Sequence, residues 1–266
     1  MLASELKTLF RRRRTIALLA ALAAIPVLIG IAVRLTSGGG AQGGPALIGS
    51  ITANGLFVAF SALIVSIPAF LPLTIGVVSG DAIAGEASLG TLRYLLTAPI
   101  GRLRLLVVKW LGSLAFVAGA VLAVVLMGVL VGVILFPVGR ITLLSGDTVG
   151  IGGFALRALL IAAYAVVSLA GLMTIGIFAS TLTNVPVGSM AATVVLAAVT
   201  QVADSLPQLD WLHPWLFSHY WLGLGDLLRA PVEWSSFGSN ALLQLGYVAV
   251  FGLLAYTRLS TKDVLS

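Results

Sequence analysis

Six apolar runs, each long enough to cross a lipid bilayer, constrain the fold of this chain more than any other feature. They lie near residues 15–34, 51–78, 107–136, 156–180, 186–205 and 239–257. A membrane-spanning helix needs about 20 predominantly apolar residues, and a backbone inside lipid must satisfy its own hydrogen bonds. The sequence therefore predicts an all-α, polytopic membrane protein with six transmembrane helices, which form a single domain over residues 1–266.

The composition supports this prediction. Hydrophobic residues make up 59% of the 266 residues and charged residues only 9%, whereas about 25% of an ordinary soluble domain is charged. The chain has no cysteine, which excludes disulfide bonds and thiolate metal sites. A soluble domain of this length could not cover so much apolar surface with so few charges.

The basic residues are unevenly divided between the two sides of the membrane. Six spans put both termini on one side, and eleven of the 15 basic residues share that side: Lys7, Arg11, Arg12, Arg13, Arg14, Arg93, Arg102, Arg104, Lys109, Arg258 and Lys262. The other side carries Arg34, Arg140, Arg157 and Arg229. The positive-inside rule then predicts cytoplasmic termini. The net charge of +6 indicates contact with anionic membrane lipids, not nucleic acid.

Two segments outside the spans have a clear amphipathic or aromatic character. The opening SELKTLFRRRR predicts an amphipathic helix at the inner surface. It does not resemble a cleaved leader, because the apolar run after it reaches 18 residues and five more spans follow. The external aromatic stretch 206–238 carries four of the five tryptophans, which predicts short interfacial helices that anchor the protein. A substrate gate there is an alternative.

Several kinds of chemistry find no support in the sequence. A GxxxxGK[ST] loop is absent, so the chain cannot itself be a P-loop ATPase. The two histidines, His213 and His219, would need further ligands to hold zinc, and no metal site is predicted. Ser218 adjoins His219, but adjacency does not make a catalytic triad, and no catalytic residue is predicted. Asp204 alone among the acidic residues approaches a span, which argues against an ion-coupled carrier.

Residues 85–110, GEASLGTLRYLLTAPIGRLRLLVVKW, mix charge, glycine and leucine between two apolar runs. A helix here would carry an apolar stripe beside a polar one. The apolar stripe is Leu89, Leu92 and Leu96; the polar stripe is Glu86, Gly90, Arg93 and Thr97; Pro99 and Gly101 end the helix. A glycine inside a helix costs about 1 kcal/mol relative to alanine, so Gly90 predicts the close approach of another backbone. The pattern favours docking on a protein over floating on lipid.

The same stretch resembles the signature of ABC-2 type permeases, the six-span membrane subunits of ABC exporters. The matching residues are Gly85, Glu86, Gly90, Thr91, Leu92, Leu95, Leu96, Pro99, Arg102 and Lys109. The basic amphipathic start, the STLTN turn, the aromatic WLHPWLFSHYW stretch and the RLSTKD ending are similar as well. The resemblance thus covers the six-span layout essentially from end to end.

The resemblance implies that the loop 79–106 contains a coupling helix, near residues 85–99, that docks on a separate cytoplasmic ATPase subunit. The implied contact residues are Gly85, Glu86, Leu89, Gly90, Thr91, Leu92, Arg93, Leu95, Leu96, Pro99 and Arg102. The tight turn after span four adds a second cytoplasmic turn, with Ser180, Thr181 and Asn184 at the inner surface. The partners implied are two ATPase subunits, which bind ATP and Mg, and a second identical or related permease chain.

The resemblance, together with spans whose cores lack charged side chains, favours export of a hydrophobic or amphipathic compound such as a drug, an antibiotic or a lipid. The substrate-binding residues stay unknown. Three other functions stay open at this point. They are an ABC-2 permease for maturation of a secreted metalloenzyme, an ion-coupled carrier or channel, and an intramembrane enzyme that uses Ser218 or His219.

Overall fold

The computed structural model describes residues 2–37, 51–52, 54–91, 101–139, 141–142 and 148–261. The helices in this part of the chain are α1 (Leu2–Arg11), α2 (Arg13–Ser37), α3 (Phe57–Val65), α4 (Leu71–Ser88), α5 (Arg102–Leu135), α6 (Ile151–Leu182), α7 (Pro186–Asp204) and α8 (Ser235–Thr261). Short 3-10 turns cover Pro207–Leu209, His213–Trp215 and Gly223–Leu228. Strands β1 (Ile141–Thr142) and β2 (Thr148–Val149) form a two-residue antiparallel pair.

Within these residues, six helices are long and apolar enough to cross a membrane. They are Arg13–Thr36, Phe57–Ser88, Arg102–Leu135, Gly152–Leu182, Pro186–Asp204 and Ser235–Thr261. The prediction of an all-α protein with six spans is thereby confirmed. The second span helix is longer than its apolar run, because it continues from residue 78 to Ser88 without a break.

The second span helix contains a wide turn where two prolines interrupt its hydrogen bonds. Residues Ser66–Phe70 form a π-helical turn that joins α3 to α4. Proline has no N–H to donate, so Pro72 cannot form the helical hydrogen bond to the carbonyl of Pro68 four residues earlier. Instead, the side-chain amide of Gln201 in α7 donates to the Pro68 carbonyl at 2.7 Å. The wide turn is therefore stabilised by a neighbouring span, as is usual for proline in membrane helices.

Helix α6 lies at the centre of the bundle, in contact with α4, α5, α7 and α8. Most of its apolar length is buried, whereas α7 and α8 leave most of theirs uncovered. Small residues allow the spans to approach closely, as is common between helices in lipid. At Gly80 in α4, an added Cβ would lie 2.7 Å from the backbone nitrogen of Met190 in α7.

Gly80→Ala is expected to destabilise the contact between α4 and α7. The new methyl group would meet backbone atoms, which cannot rotate away, and overpacking of this kind costs about 1–3 kcal/mol. Thermal unfolding of the purified chain in detergent measures the loss. Gly252→Ala in α8 is the matched control, because a Cβ at that position has no described atom within 4 Å apart from its chain neighbours and the backbone of its own helix. Equal melting temperatures for the two variants would contradict the close approach.

Candidate functional site

Helix α1, the end of α4 and the start of α5 meet around a buried lysine. Lys109 in α5 is only 5% exposed, and its Nζ lies 2.8 Å from Glu5 Oε1 and 2.9 Å from Glu86 Oε1. An ammonium group removed from water is costly unless it is paired and hydrogen-bonded. The two carboxylates provide both the opposite charge and the hydrogen-bond acceptors that the ammonium group needs. We call Glu5, Glu86 and Lys109 the Lys109 triad.

A second group of charges lies beside the triad. The carboxylate of Asp81 in α4 accepts hydrogen bonds from Arg12, at 3.3 Å, and from Arg14. These two arginines flank the junction between α1 and α2. The two groups together contain three acidic and three basic side chains, so their charges balance. They line a cavity of about 230 Å³ at this end of the bundle.

The structure shows a conformational role for Gly90. Helix α4 ends at Ser88, and Gly90 follows with φ +71°, a left-handed conformation that glycine adopts most readily at helix C-termini. Apart from its two chain neighbours, no described residue has a heavy atom within 4 Å of a Cβ built there. The prediction of one continuous helix through residue 90 is therefore wrong. The glycine serves to turn the chain.

The turn at Gly90 brings Thr91 back to the Lys109 triad. Thr91 Oγ1 lies 3.1 Å from the Glu86 carbonyl and also donates to the Glu86 carboxylate. Leu89, at the tip of the turn, is 74% exposed. The predicted contact residues Gly85, Glu86, Leu89, Gly90 and Thr91 thus share one turn. Leu92, Arg93, Leu95, Leu96 and Pro99 lie outside the described residues, and their arrangement stays a prediction.

Arg102, the last of the predicted contact residues, begins α5 and faces the end of α8. Its guanidinium donates to the carbonyl oxygens of Leu259, at 2.9 Å, and Ser260. A cation near the last carbonyls of a helix satisfies free acceptors and interacts well with the helix dipole. Arg102 therefore joins the start of α5 to the end of α8.

The second predicted turn connects α6 and α7, at residues 183–185. Asn184 is exposed, whereas the side chains of Ser180 and Thr181 are fully buried within the protein. The location of this turn at the inner surface of the membrane stays a prediction. Ser180 Oγ lies 2.9 Å and 2.7 Å from the backbone nitrogens of Ile83 and Ala84. The hydroxyl is buried because it ties α6 to the last turns of α4.

Helix α7 is tied to the same part of α4. Ser189 Oγ donates to the Gly80 carbonyl at 2.6 Å, next to the close backbone contact at Gly80. The last two turns of α4 therefore have polar contacts with four other helices. Glu86 and Asp81 contact α5 and the α1–α2 junction, and residues 80–84 contact α6 and α7.

Sequence reasoning missed Glu5 and Asp81. A usable signal was present, because the side predicted from the sequence to carry both termini has eleven basic residues and only four acidic ones: Glu5, Asp81, Glu86 and Asp263. A lysine entering an apolar span needs a counter-charge, and few candidates exist. Which acidic residue pairs with Lys109 depends on a contact between residues 104 positions apart. Hydrophobic periodicity does not reveal such a contact.

The sequence of the whole chain was compared with protein families and with curated proteins. The family described as "ABC-2 family transporter protein" matches residues 1–264. The comparison with curated proteins finds no match.

Proposed function

Because the chain belongs to the ABC-2 family of transporter proteins, we propose that it exports a hydrophobic or amphipathic compound with energy from a separate ATPase. The chain is a multi-pass membrane subunit that lacks an ATPase domain. ABC-2 permeases generally pair with ABC ATPase subunits, and ATP binding generally lies in that partner. The resemblance seen in residues 85–109 is confirmed at the level of the family.

The single observation that carries the coupling mechanism is the position of the turn 85–91. This turn leaves the bundle at the end of α4, with Leu89 exposed, and it leads into the remaining predicted contact residues. The ATPase docks on this turn and on the residues that follow it, up to residue 99. ATP with Mg closes two ATPase subunits, and the closure displaces the turn.

The contacts of α4 convert a displacement of the turn into a movement of the spans. Glu86 is bonded to Lys109, which also holds Glu5, so α5 and α1 move with the end of α4. The hydroxyls of Ser180 and Ser189 bond to residues 80–84, so α6 and α7 move as well. Charge-assisted and buried hydrogen bonds of this kind transmit force because breaking them leaves unpaired polar groups.

Both termini lie in the cytoplasm in this proposal, with the protein in the plasma membrane. Arg102 at the start of α5 bonds to the end of α8, and Lys109 nearby bonds to α1. These contacts support a common side for the two ends of the chain. The excess of basic residues on this side favours the cytoplasm. The working unit contains two permease chains, identical or related, and two ATPase subunits.

The apolar character of the spans supports a hydrophobic or amphipathic cargo. Each candidate span has a window of 18 residues with two or fewer charged side chains. A charged cargo would need compensating charges near the membrane centre. An amphipathic compound can instead move between lipid and spans lined by aliphatic side chains.

Purification of the full-length chain from native membranes in mild detergent tests the proposal. We expect an ABC ATPase to co-purify in equal numbers with the permease. Glu86→Lys should lose the ATPase, because it places two ammonium groups together below the docking turn. Glu233→Lys, in the segment that precedes α8, is the control and should retain it.

Transport in reconstituted vesicles gives the second arm of this test. We expect uptake of a fluorescent amphipathic compound to require both the ATPase and ATP. Transport by vesicles that contain this chain alone, driven by a proton or ion gradient, would contradict the mechanism.

A further inference from the structure

At the end of the bundle away from the Lys109 triad, three potential metal ligands converge. Asp204 is the last residue of α7, and His213 and His219 lie in the segment that follows it. Each residue offers one ligand atom, and these atoms all lie within 4.8 Å of one another. We propose that Asp204, His213 and His219 bind a divalent transition-metal ion of the zinc class, which fastens the end of α7 to the aromatic segment.

Hydrogen bonds fix the tautomer of His213. Its Nε2 lies 3.2 Å from the carbonyl oxygens of both Ala203 and Leu206. A carbonyl oxygen can only accept, so Nε2 carries the proton, and Nδ1 of the neutral ring keeps its lone pair. A metal-binding histidine usually donates its other N–H to a carbonyl or carboxylate in this way. This hydrogen-bond pattern leaves Nδ1 as the nitrogen of His213 that can bind a metal.

His219 and Asp204 form the other half of the site. His219 Nδ1 lies 2.7 Å from Asp204 Oδ1, and the two imidazole rings stack with centroids 5.9 Å apart. Tetrahedral zinc bonded at about 2.0–2.2 Å requires ligand atoms roughly 3.4 Å apart. In this proposal the metal replaces the hydrogen bond between His219 and Asp204, and rotations of the side chains separate these two atoms.

The site is accessible from solvent, and a further carboxylate lies next to it. His213 is 17% exposed and His219 is 34% exposed, so an ion can enter from solvent. The Oδ1 atom of the exposed Asp210 lies 3.6 Å from His213 Nδ1 and can join the coordination shell, as can water. Three protein ligands with one open position is a common arrangement for zinc.

The donor set selects the class of metal. Two imidazole nitrogens and a carboxylate suit zinc, cobalt, nickel or copper, whereas magnesium and calcium prefer oxygen ligands alone. A hydrogen-bonded Asp–His pair at the end of a helix does not by itself indicate a metal. The convergence of a second histidine with a fixed tautomer is the observation that favours a metal.

Titration of the chelator-treated, tag-free, full-length chain in detergent with Zn²⁺, followed by calorimetry, tests the site. We expect one ion per chain and a rise in melting temperature on binding. His213→Gln, His219→Gln and Asp204→Asn should each weaken binding at least about tenfold. Glu233→Gln, at an acidic residue outside the cluster, should bind Zn²⁺ as the unaltered chain does.

Co²⁺ provides a readout that does not depend on the folding of any variant. The unaltered chain should show the visible absorption bands of tetrahedral Co²⁺, and added Zn²⁺ should remove them. Three results would overturn the proposal: no stoichiometric Zn²⁺ binding, Zn²⁺ binding that all three substitutions leave unchanged, or Ca²⁺ and Mg²⁺ binding as tight as that of Zn²⁺. None of these results bears on the coupling to an ATPase.

Discussion

Replacement of Lys109 by methionine is expected to lower the free energy of unfolding of the purified chain by about 3 kcal/mol. The substitution removes the ammonium group that lies 2.8 Å from Glu5 and 2.9 Å from Glu86. Two carboxylates then face each other without a cation. They are 27% and 18% exposed, so water relieves part of the repulsion. For this reason the expected loss lies at the lower end of the range for a broken buried ion pair.

Thermal and denaturant unfolding at a fixed detergent concentration measures this effect. Lys7→Met is the matched control, because Lys7 lies in the same helix as Glu5 but is exposed. The triple variant Lys109→Met, Glu5→Gln, Glu86→Gln should recover most of the stability, since exchange of a whole buried ion pair for neutral groups is often close to neutral. If the Lys109→Met variant has the same free energy of unfolding as the Lys7→Met control, the triad does not hold α1, α4 and α5 together.

The fold could be predicted because a lipid bilayer permits few backbone structures that satisfy their own hydrogen bonds. Apolar runs of about 20 residues specify both the number of spans and their helical structure, and α2, α5 and α7 agree closely with their runs. The end of the second span was missed for a physical reason. Its last turns carry Asp81 and Glu86, which look like loop residues in the sequence but are neutralised by the basic residues around them.

The candidate site could be predicted only in part. The charged and glycine-rich character of residues 85–91 indicated a segment outside lipid, because such residues are costly inside the membrane, and the structure places a turn there. The role of this turn in docking an ATPase stays a prediction. The contacts of Lys109 and Ser180 could not be predicted, since they join residues 104 and 97 positions apart. Hydrophobic periodicity locates a face of a helix but not the particular residue that packs against it.

The sequence and the structure give two different explanations for the glycine at position 90, Gly90. Sequence reasoning attributed this glycine to the close approach of another backbone, whereas the structure shows a left-handed residue with φ +71°. The two explanations make opposite predictions for asparagine. Asparagine tolerates the left-handed conformation, but its side chain would block a backbone that approached closely.

Gly90→Val is expected to reduce capture of the ATPase about tenfold, and Gly90→Asn is expected to retain most of it. An L-residue in the left-handed conformation costs about 1–2 kcal/mol, and valine, which is β-branched, should lie at the upper end of this range. A cost near 1.4 kcal/mol corresponds to a tenfold change in an equilibrium. The valine variant therefore favours another path for the chain after Ser88, which withdraws Thr91 from Glu86 and displaces the docking residues.

The ratio of ATPase to permease after co-purification in detergent measures both variants, with Gly101→Val as a control at a glycine of negative φ. Unchanged capture by Gly90→Val would mean that the left-handed turn is not needed for docking. If both variants lose the ATPase to the same extent, the first explanation would be favoured, in which a backbone of the partner lies against Gly90. If the valine variant loses the ATPase and the asparagine variant retains it, Gly90 sets the direction of the chain. The side chains on either side of Gly90 would then form the docking surface.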